Sequence, residues 1–260
     1  MDYSEITYSC SKGIATLTLN RPELLNPFSA AMAREVAVAI EEARADEGCC
    51  VLVITGAGRA FCAGGDVSAF KKGMNVIEGR EYVIQVGRAV LAMHNFEKPI
   101  IAAVNGYAMG AGFNLALAAD LIVAVKEAKF AQVFSQVGLA VDTGGSYFLP
   151  RVVGLARAKE LVFTGRTIDA EEALKMGLIN RVVEKENLEQ EVASLATELA
   201  QGPSQALGLD KMLINSGLET DLETALTEEA LAQSLCMQTE DHVEGVKAFY
   251  EKRKAKFKCK

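Results

Sequence analysis

The sequence is poor in histidine, and this excludes several kinds of active site. It contains two histidines among 260 residues, His94 and His242. Neither lies near a serine or cysteine elbow motif, so a nucleophile activated by histidine is not expected, and a histidine-rich metal site is excluded. The six cysteines show no metal-ligand spacing and lie mostly among apolar neighbours, as is typical of reduced thiols in a cytosol; they are Cys10, Cys49, Cys50, Cys62, Cys236 and Cys259. We therefore expect no metal site.

Long hydrophobic runs are also missing. No apolar stretch reaches the roughly 18 residues needed to span a bilayer. The first residues, MDYSEITYS, lack the basic and then apolar pattern of a signal segment. Half of the residues are nevertheless apolar, which is enough for one large domain or for a domain with a smaller appendage. These features predict a soluble, cytoplasmic protein that does not enter a membrane.

Charge is distributed unevenly along the chain. The net charge is −7, yet residues 247–260 contain seven Lys or Arg and one Glu, a net of +6 that leaves −13 on the remainder. Such an acidic body argues against nucleic acid as the main partner. The basic end has two interpretations that the residues leave open: a solvated helix end stabilised by the helix dipole, or a clamp for a phosphate group.

The apolar pattern predicts strands that alternate with helices. Residues 6–9 and Ile14–Leu19 indicate a hairpin, and Ser29 can cap a helix over Ala30–Ala45. Continuous apolar strands, of the kind covered on both faces, are predicted at residues 51–55, 100–104 and 121–125. The order strand, glycine-rich loop, helix recurs, and this repetition favours a parallel α/β layering.

The pattern changes from residue 156 onward. Short helices are predicted at residues 156–163 and 170–176, a short strand at 179–183, and almost continuous helix after residue 188. Two late helices have apolar faces, formed by Leu222, Ala225, Leu226, Leu231 and Leu235 in one and by Val243, Val246, Phe249 and Tyr250 in the other. From the residues alone, these faces would cover the body of the same subunit.

Two glycine-rich loops follow neighbouring predicted strands. The first is GAGRAFCAGGD at residues 56–66, and the second is Gly110-Ala111-Gly112, which starts a helix over residues 113–119. The first amides of a helix have no partner within it, so they can hold an anion or an oxygen that becomes one. Amides from both loops could converge on one oxygen as an oxyanion hole, worth about 3 kcal/mol per donor. Alternatively, the glycines permit close helix–strand packing and nothing more. A dinucleotide site is disfavoured because Leu115 replaces the third glycine of its loop.

Longer runs resemble the enoyl-CoA hydratase/isomerase (crotonase) family. They are AFCAGGD, KPIIAAVNGYAMGAG, GLAVDTGGSYFLPRVVG, TGRTIDAEEALKMGLINRVV and EGVKAFYEKRKAKF, in the family's order over nearly the whole chain. The resemblance implies an α/β, ClpP/crotonase-like spiral of repeated β-β-α units with an acyl-CoA site in residues 1–195. It implies a helical trimerisation region in residues 196–260, a homotrimer or a dimer of trimers, and no separate cofactor, since coenzyme A is part of the substrate.

The resemblance also assigns site residues. It implies that the thioester oxygen accepts hydrogen bonds from the backbone N–H groups of Gly65 and Ala111. Ala111 replaces a glycine that most relatives carry, which leaves the donor in place if the local backbone accommodates a Cβ. The other residues implied to contact the substrate or its coenzyme A are Leu25, Ala63, Asp66 and Phe134, with Phe249 and Lys252 reaching the coenzyme A of a neighbouring subunit.

The sequence departs from the family at two acidic positions. Hydratases of the family carry glutamates where this chain has Asn114 and Phe134, and neither residue can act as a general base. Simple hydration of a 2-enoyl-CoA is therefore disfavoured. Asp142 stands where family isomerases place a carboxylate, and apolar neighbours are expected to raise its pKa. From the residues alone, Asp142 could equally form an Asx turn or cap the helix that starts near Ser146.

Together these residues predict an isomerase with a single proton carrier. Asp142 would remove a proton from C2 of a 3-enoyl-CoA and return it at C4, while Gly65 and Ala111 hold the dienolate oxygen. The run LAVDTGGSYFLPR also resembles the 1,2-epoxyphenylacetyl-CoA isomerase branch of phenylacetate degradation, so aliphatic and aromatic-derived acyl groups both remain open. A dehalogenase of this fold is disfavoured because the chain has no tryptophan. The remaining alternatives are a hydratase-like enzyme of other specificity and a CoA-binding scaffold without catalysis.

Overall fold

The structure is a computed structural model that describes residues 2–71 and 73–258. Within these residues the strands are β1 (Ile6–Ser11), β2 (Ile14–Leu19), β3 (Val51–Gly56), β4 (Ala60–Cys62), β5 (Ile100–Val104), β6 (Tyr107–Met109), β7 (Leu121–Val125), β8 (Lys129–Ala131), β9 (Ile168–Asp169) and β10 (Arg181–Val183). The helices are α1 (Ala30–Ala45), α2 (Val76–His94), α3 (Ala111–Leu117), α4 (Gly145–Thr164), α5 (Ala170–Lys175), α6 (Leu188–Ala200), α7 (Ser204–Gly217), α8 (Leu222–Cys236) and α9 (Glu240–Glu251). None of these helices is both long and apolar enough to cross a bilayer. One of the predicted thiols, Cys259, lies outside the described residues.

The larger of two sheets has six strands in the order β1-β2-β3-β5-β7-β10. β1 and β2 form the predicted antiparallel hairpin, and the neighbouring strands from β2 to β10 run parallel. All five residues of β5 are buried because both faces of this central strand are covered. The predicted parallel α/β layering is confirmed.

Three successive units each contain a strand of the larger sheet, a strand of the smaller sheet and a helix. The units are β3-β4-α2, β5-β6-α3 and β7-β8-α4, and β6 pairs in parallel with β4 on one side and β8 on the other. The chain passes abruptly between the sheets, since a Cβ on Gly56 or Gly106 would lie 2.2 Å from the carbonyl oxygen of Ala60 or Arg59, respectively. Because β4 and β6 pair, the glycine loops that follow them lie side by side.

Helix α2 occupies residues 76–94, for which no element is predicted from the sequence. The side chain of Asn75 accepts hydrogen bonds from the N–H groups of Ile77 and Glu78, and the Glu78 carboxylate accepts one from the Asn75 N–H. This capping box is a start signal that can be read in a sequence. Val76 and Ile77 are exposed in the first turn, so the apolar periodicity that would have indicated the helix is obscured there.

The predicted helix over residues 156–163 is the second half of the longer α4. Gly154, with φ of 77°, interrupts the backbone in the middle of this helix, and Pro150 stands in its first half. Proline lacks an N–H donor and glycine tolerates positive φ, so this stretch has the composition of a helix end. The predicted strand at residues 179–183 is shorter in the structure, where β10 covers Arg181–Val183.

Helix α6 belongs to the body of the protein. It runs without interruption to Ala200 and buries Val192, Leu195 and Ala196, on the face that packs against β3, β5 and β7. The predicted domain boundary after residue 195 therefore cuts a helix whose apolar face covers the larger sheet. The division of the chain into two domains stays a prediction.

Helices α8 and α9 leave their apolar faces exposed. The exposed residues are Leu222, Leu226, Leu231 and Leu235 on α8 and Val243, Val246, Phe249 and Tyr250 on α9. The interpretation in which these faces cover the body of the same subunit is therefore wrong. The homotrimer in which neighbouring subunits cover these faces stays a prediction.

Candidate active site

A cavity of about 280 Å³ lies between the two glycine loops and the segment that leads into α4. Its lining is mostly apolar, and it consists of Phe28, Ala63, Gly64, Gly65, Val67, Phe70, Tyr82, Val86, Met109, Gly110, Ala111, Val133, Phe134, Gln136, Val137, Leu139 and Asp142. A small apolar cavity with a few polar groups is the usual form of a ligand site. Gly65, Ala111 and Asp142, which the sequence analysis proposes as the reacting groups, all border it.

The backbone of Gly65 borders this cavity. The N–H of Phe28 donates to the Gly64 carbonyl at 2.7 Å, and the N–H of Asp66 donates to the Phe28 carbonyl at 3.2 Å. Between these two bonds, the Gly65 N–H has no hydrogen-bond partner within the described residues. Gly64 has φ of 114°, and a Cβ there would lie 3.3 Å from the Met109 carbonyl oxygen of the second loop. The two loops are therefore in close contact.

Ala111 supplies a second amide at the same cavity. It is the first residue of α3, so its N–H has no partner within the helix. Gly110 before it has φ of 50° and donates its own N–H to the Ala131 carbonyl at 2.8 Å. Since Ala111 has helical backbone angles rather than a positive φ, its methyl group is accommodated and the amide remains a possible donor.

The packing interpretation of the glycines applies to a different residue of the same loop. A Cβ on Gly112 would lie 2.2 Å from the carbonyl oxygen of Cys62, at the end of β4. Glycine is therefore required at residue 112 for α3 to approach β4, whereas the neighbouring Ala111 lines the cavity and its amide has no partner within the helix. The loop accommodates both close packing and a free donor.

Asp142 brings a carboxyl group into the cavity. Burial raises the pKa of this carboxyl, and the Thr143 hydroxyl, which donates to its Oδ1 at 2.6 Å, opposes the effect to a smaller extent. The N-cap of α4 is Gly144 and no side chain caps this helix, so the capping role considered for Asp142 is not observed. Thr143 has φ of 51°, which is rare for a β-branched residue. A strained turn of this kind directly beside a cavity is common at functional sites.

Asn114 does not face the cavity. Its Nδ2 donates to the main-chain carbonyl of Asp142 at 2.8 Å, and its Oδ1 accepts from Nε2 of Gln132 at 2.6 Å. Both amide side chains are fully buried. A Cβ on Gly145 would lie 2.4 Å from the Asn114 amide, so glycine at that position lets the side chain reach the Asp142 segment. Asn114 therefore holds the backbone that carries Asp142.

Phe134 forms part of the apolar wall of the cavity and is 7% exposed. Ala63, another predicted contact, also borders the cavity and donates its N–H to the Leu25 carbonyl at 3.0 Å. The predicted contacts Leu25 and Asp66 are not among the residues that line this cavity. Burial tends to raise the pKa of Asp66, but hydrogen bonds from Ser68 and from the Arg21 guanidinium, the latter at 2.8 Å, together hold it below the ordinary value.

Phe249 and Lys252 lie at the end of α9, away from the cavity lining of their own chain, and Phe249 is 80% exposed. Their predicted contact with the coenzyme A of a neighbouring subunit requires a second copy and stays a prediction. Part of the basic end is already paired within the chain, because Arg253 makes ion pairs with Glu244 and Glu251, each at 2.6 Å.

Tyr82 borders the cavity from α2 and is not among the site residues predicted from the sequence. Its ring packs edge-to-face on Phe70, with ring centroids 5.4 Å apart, and its neighbour one turn along, Val86, also lines the cavity. The spacing of Tyr82 and Val86 is a helical signal. It could have been used if the capping box of α2 had been recognised first.

Residues 9–260 match a family model described as "Enoyl-CoA hydratase/isomerase". The chain belongs to this family, and the predicted resemblance is confirmed. The 1,2-epoxyphenylacetyl-CoA isomerase of Escherichia coli is 42% identical over 95% of both chains. The short-chain-enoyl-CoA hydratase of Clostridium acetobutylicum is 37% identical over 98% of this chain and 97% of the relative.

Solved structures agree on the fold. An enoyl-CoA hydratase subunit from Geobacillus kaustophilus superimposes with a TM-score of 0.95, at 36% identity and with full coverage of both chains. The predicted crotonase fold is thereby confirmed. The protein is an acyl-CoA enzyme of the crotonase superfamily, while its relatives are divided between hydratase and isomerase names.

Proposed function

We propose that this protein is an acyl-CoA isomerase that shifts a double bond by means of a single carboxyl group. The observation that carries the proposal is the composition of the cavity. Among its described lining residues Asp142 is the one carboxyl group, and it shares the cavity with the Gly65 and Ala111 amides. One proton carrier and two donors to a thioester oxygen are sufficient for a proton shift beside a thioester.

In the proposed reaction, the Asp142 carboxylate removes a proton from C2 of a 3-enoyl-CoA. The electron pair of the broken C–H bond enters the conjugated system, and the negative charge accumulates on the thioester oxygen, which accepts hydrogen bonds from Gly65 and Ala111. The protonated Asp142 then delivers the proton to C4. The double bond moves from C3–C4 to C2–C3, and Asp142 returns to its starting form.

Hydration is disfavoured because the residues at the two glutamate positions cannot act as bases. Adding water at C3 of a 2-enoyl-CoA needs a base that activates the water. The position of one hydratase glutamate holds Asn114, which is committed to Asp142 and Gln132, and the other holds Phe134, an apolar wall. Losing such assistance typically costs about 10²–10⁴-fold in rate per group.

The substrate is a 3-enoyl-CoA of fatty acid metabolism or a related ring-derived thioester. The 42% identity to the 1,2-epoxyphenylacetyl-CoA isomerase supports the isomerase side of the family. The hydratase relatives support the alternative of a hydratase-like enzyme with another specificity. A CoA-binding protein without catalysis is the other alternative, and the carboxyl group of Asp142 in the cavity argues against it. The exposed faces of α8 and α9 support a homotrimer or a dimer of trimers.

The decisive experiment replaces Asp142 with Asn. This change keeps the shape and most hydrogen bonds but removes the proton acceptor, so turnover of a 3-enoyl-CoA should fall by about 10²–10⁴-fold while binding persists. In deuterated water the unchanged enzyme should incorporate deuterium at C2 or C4, and the variant should not. Asp210→Asn, on the exposed side of α7, is the control and should keep full activity.

Full turnover by Asp142→Asn would show that Asp142 is not the proton carrier and would contradict the proposed isomerase mechanism. Crotonyl-CoA hydration as fast as isomerisation would instead assign the cavity to a hydratase.

A further inference from the structure

The loop that carries Gly65 is held on both sides of that glycine but not at the glycine itself. Apart from its chain neighbours, a Cβ on Gly65 would meet no atom within 4 Å, and glycine tolerates a wide range of backbone angles. On one side, the Phe28 N–H donates to the Gly64 carbonyl at 2.7 Å, and on the other, the Asp66 N–H donates to the Phe28 carbonyl at 3.2 Å. The orientation of Gly65 therefore depends on how its two neighbours are held.

The side chain of Asp66 adds a second hold on this loop. Its Oδ2 accepts from Nη1 of Arg21 at 2.8 Å, and its Oδ1 accepts from the Ser68 N–H at 3.1 Å and from the Ser68 hydroxyl at 2.5 Å. The side chains of Arg21 and Asp66 are 20% and 14% exposed, so water competes little for their contact. A hydrogen bond between two charged groups is about twice as strong as one between neutral groups. Both carboxylate oxygens are thus engaged within the protein.

Arg21 is in turn fixed to the framework around the loop. Its N–H donates to Oδ1 of Asn26 at 2.8 Å, and the Asn26 amide, which is fully buried, donates to the carbonyls of Ala57 and Ala60, each at 2.9 Å. Its guanidinium Nη1 also lies 3.5 Å from Oε1 of Glu5. The ion pair therefore joins the Gly65 loop to residues that hold the start of β4.

Asp66 connects two parts of the cavity lining. It is the N-cap of a short 3₁₀ helix over Val67–Phe70, and both Val67 and Phe70 line the cavity. Gly65, on the other side of Asp66, lines the same cavity. A movement of Asp66 would therefore displace Gly65 and this wall together.

We propose that Arg21 is a positioning residue whose ion pair with Asp66 fixes the orientation of the Gly65 amide relative to the thioester oxygen. Arg21 is not among the residues that line the cavity, so it acts through the loop and not on the substrate. The inference rests on the proposed function in one respect, namely that Gly65 donates to that oxygen. Hydrogen bonds weaken steeply when the donor is misaligned, and a displacement of about 1 Å can lower a rate about 10²-fold.

The test measures the carbonyl stretching frequency of a saturated acyl-CoA with an isotopically labelled thioester carbonyl, which can bind but cannot isomerise. Hydrogen bonds from the protein should polarise the bound carbonyl and lower its frequency. In Arg21→Gln most of this lowering should be lost, and kcat for a 3-enoyl-CoA should fall by about 10- to 100-fold with a smaller change in KM. Arg21→Lys keeps the charge without the planar guanidinium and should lie between. Arg181→Gln is the matched control, because it breaks an ion pair with Glu191 at 2.6 Å outside the cavity lining; it should change neither quantity.

Asp66→Asn tests whether the two charged residues act as one unit. It should reproduce the loss seen in Arg21→Gln, and the double variant should lose no more than either single variant. Since the frequency is measured without turnover, it separates this inference from the proposed reaction: if the unchanged protein lacked isomerase activity but lowered the frequency, and Arg21→Gln abolished that lowering, the reaction would be wrong and the inference would stand. The inference is overturned if the bound carbonyl is not shifted, if Arg21→Gln and Arg21→Lys lose stability but keep the frequency and kcat, or if the two single losses add in the double variant.

Discussion

Asp142 and Asp120 are two aspartates that burial affects in the same direction but that have very different surroundings. Burial raises the pKa of both carboxyl groups. Asp120, which follows α3, accepts from Nζ of Lys211 at 2.9 Å and from the Ile100 N–H at 2.7 Å. Asp142, in the segment before α4, accepts a hydrogen bond from the Thr143 hydroxyl and borders the cavity.

The comparison indicates that partners, more than burial, separate a structural carboxylate from a reactive one. Both groups that donate hydrogen bonds to Asp120 are fixed parts of the protein, and through Asp120 the Lys211 side chain joins α7 to the start of the central strand β5. The side of Asp142 that faces the cavity has no such donor among the described residues. A buried carboxylate without a cation is raised in energy and becomes a stronger proton acceptor.

Asp120→Asn should give the largest effect on stability. The substitution leaves the Lys211 ammonium, whose side chain is 8% exposed, without its counter-charge. Removing one member of a buried pair typically costs about 3–5 kcal/mol. Because the Asp120 side chain itself is 28% exposed, we expect about 2–4 kcal/mol, measured by denaturant unfolding.

The matching variants sharpen this prediction. Asp142→Asn should leave the free energy of unfolding unchanged or raise it, since it removes a buried charge that has no cation. The double variant Asp120→Asn with Lys211→Met should recover part of the loss, because both charges are gone. Equal destabilisation by Asp120→Asn and Asp142→Asn would end the distinction between the two aspartates.

Asn114→Ala tests whether the position of Asp142 is as important as its charge. The variant removes both hydrogen bonds that join the Asp142 carbonyl, Asn114 and Gln132. A displacement of about 1 Å can lower a rate about 10²-fold, so we expect kcat to fall by about 10- to 100-fold with a smaller change in KM. Steady-state kinetics of the folded variant measure this split.

Gln132→Met is a milder change than Asn114→Ala. It removes the hydrogen bond between Gln132 and Asn114 but leaves the one between Asn114 and the Asp142 carbonyl. Its loss of kcat should be smaller than that of Asn114→Ala. If kcat stayed constant in both variants while stability fell, Asn114 would be a packing residue without influence on the reacting carboxyl group.

Features that depend on residues close together in the sequence could be predicted from it, whereas features that depend on contacts between distant residues could not. The two glycine loops and the strand–loop–helix units depend on local turn and helix signals, whereas Gly65 and Ala111 are singled out by the family resemblance; both residues line one cavity. The role of Asn114 depends on Gln132 and Asp142, which are 18 and 28 residues away. Such a contact has no local signature. The sequence therefore shows that Asn114 replaces a glutamate, but it does not show that Asn114 holds the backbone of Asp142.

Tyr82 illustrates a second kind of limit. Whether a helical tyrosine faces solvent or a cavity depends on how its helix is rotated, and the apolar stripe that would have fixed the rotation of α2 is obscured by the exposed Val76 and Ile77. The same limit applies to α8. Its apolar residues can be read from the sequence, but the surface that would cover them cannot.

The smallest expected effect is a pH dependence that belongs to Asp142 and is absent from Asp142→Asn. Because the carboxylate is the proton acceptor, kcat/KM should be lost as the pH falls through the folded pKa of Asp142, which lies above the ordinary value of about 3.9. Stability has the opposite sign. Between the unfolded and the folded pKa, the native state holds a proton that the unfolded state has released, so this group lowers stability as pH rises.

Thr143→Ala makes the assignment to Asp142 specific. The Thr143 hydroxyl stabilises the charged form of the carboxylate, so its removal should move the acid limb of the kcat/KM profile to higher pH. The difference in unfolding free energy between the unchanged protein and Asp142→Asn should change over the same raised pH window. If Thr143→Ala left the acid limb in place, another group would control the rate, and Asp142 would then resemble Asp120 in being part of the framework rather than the proton carrier.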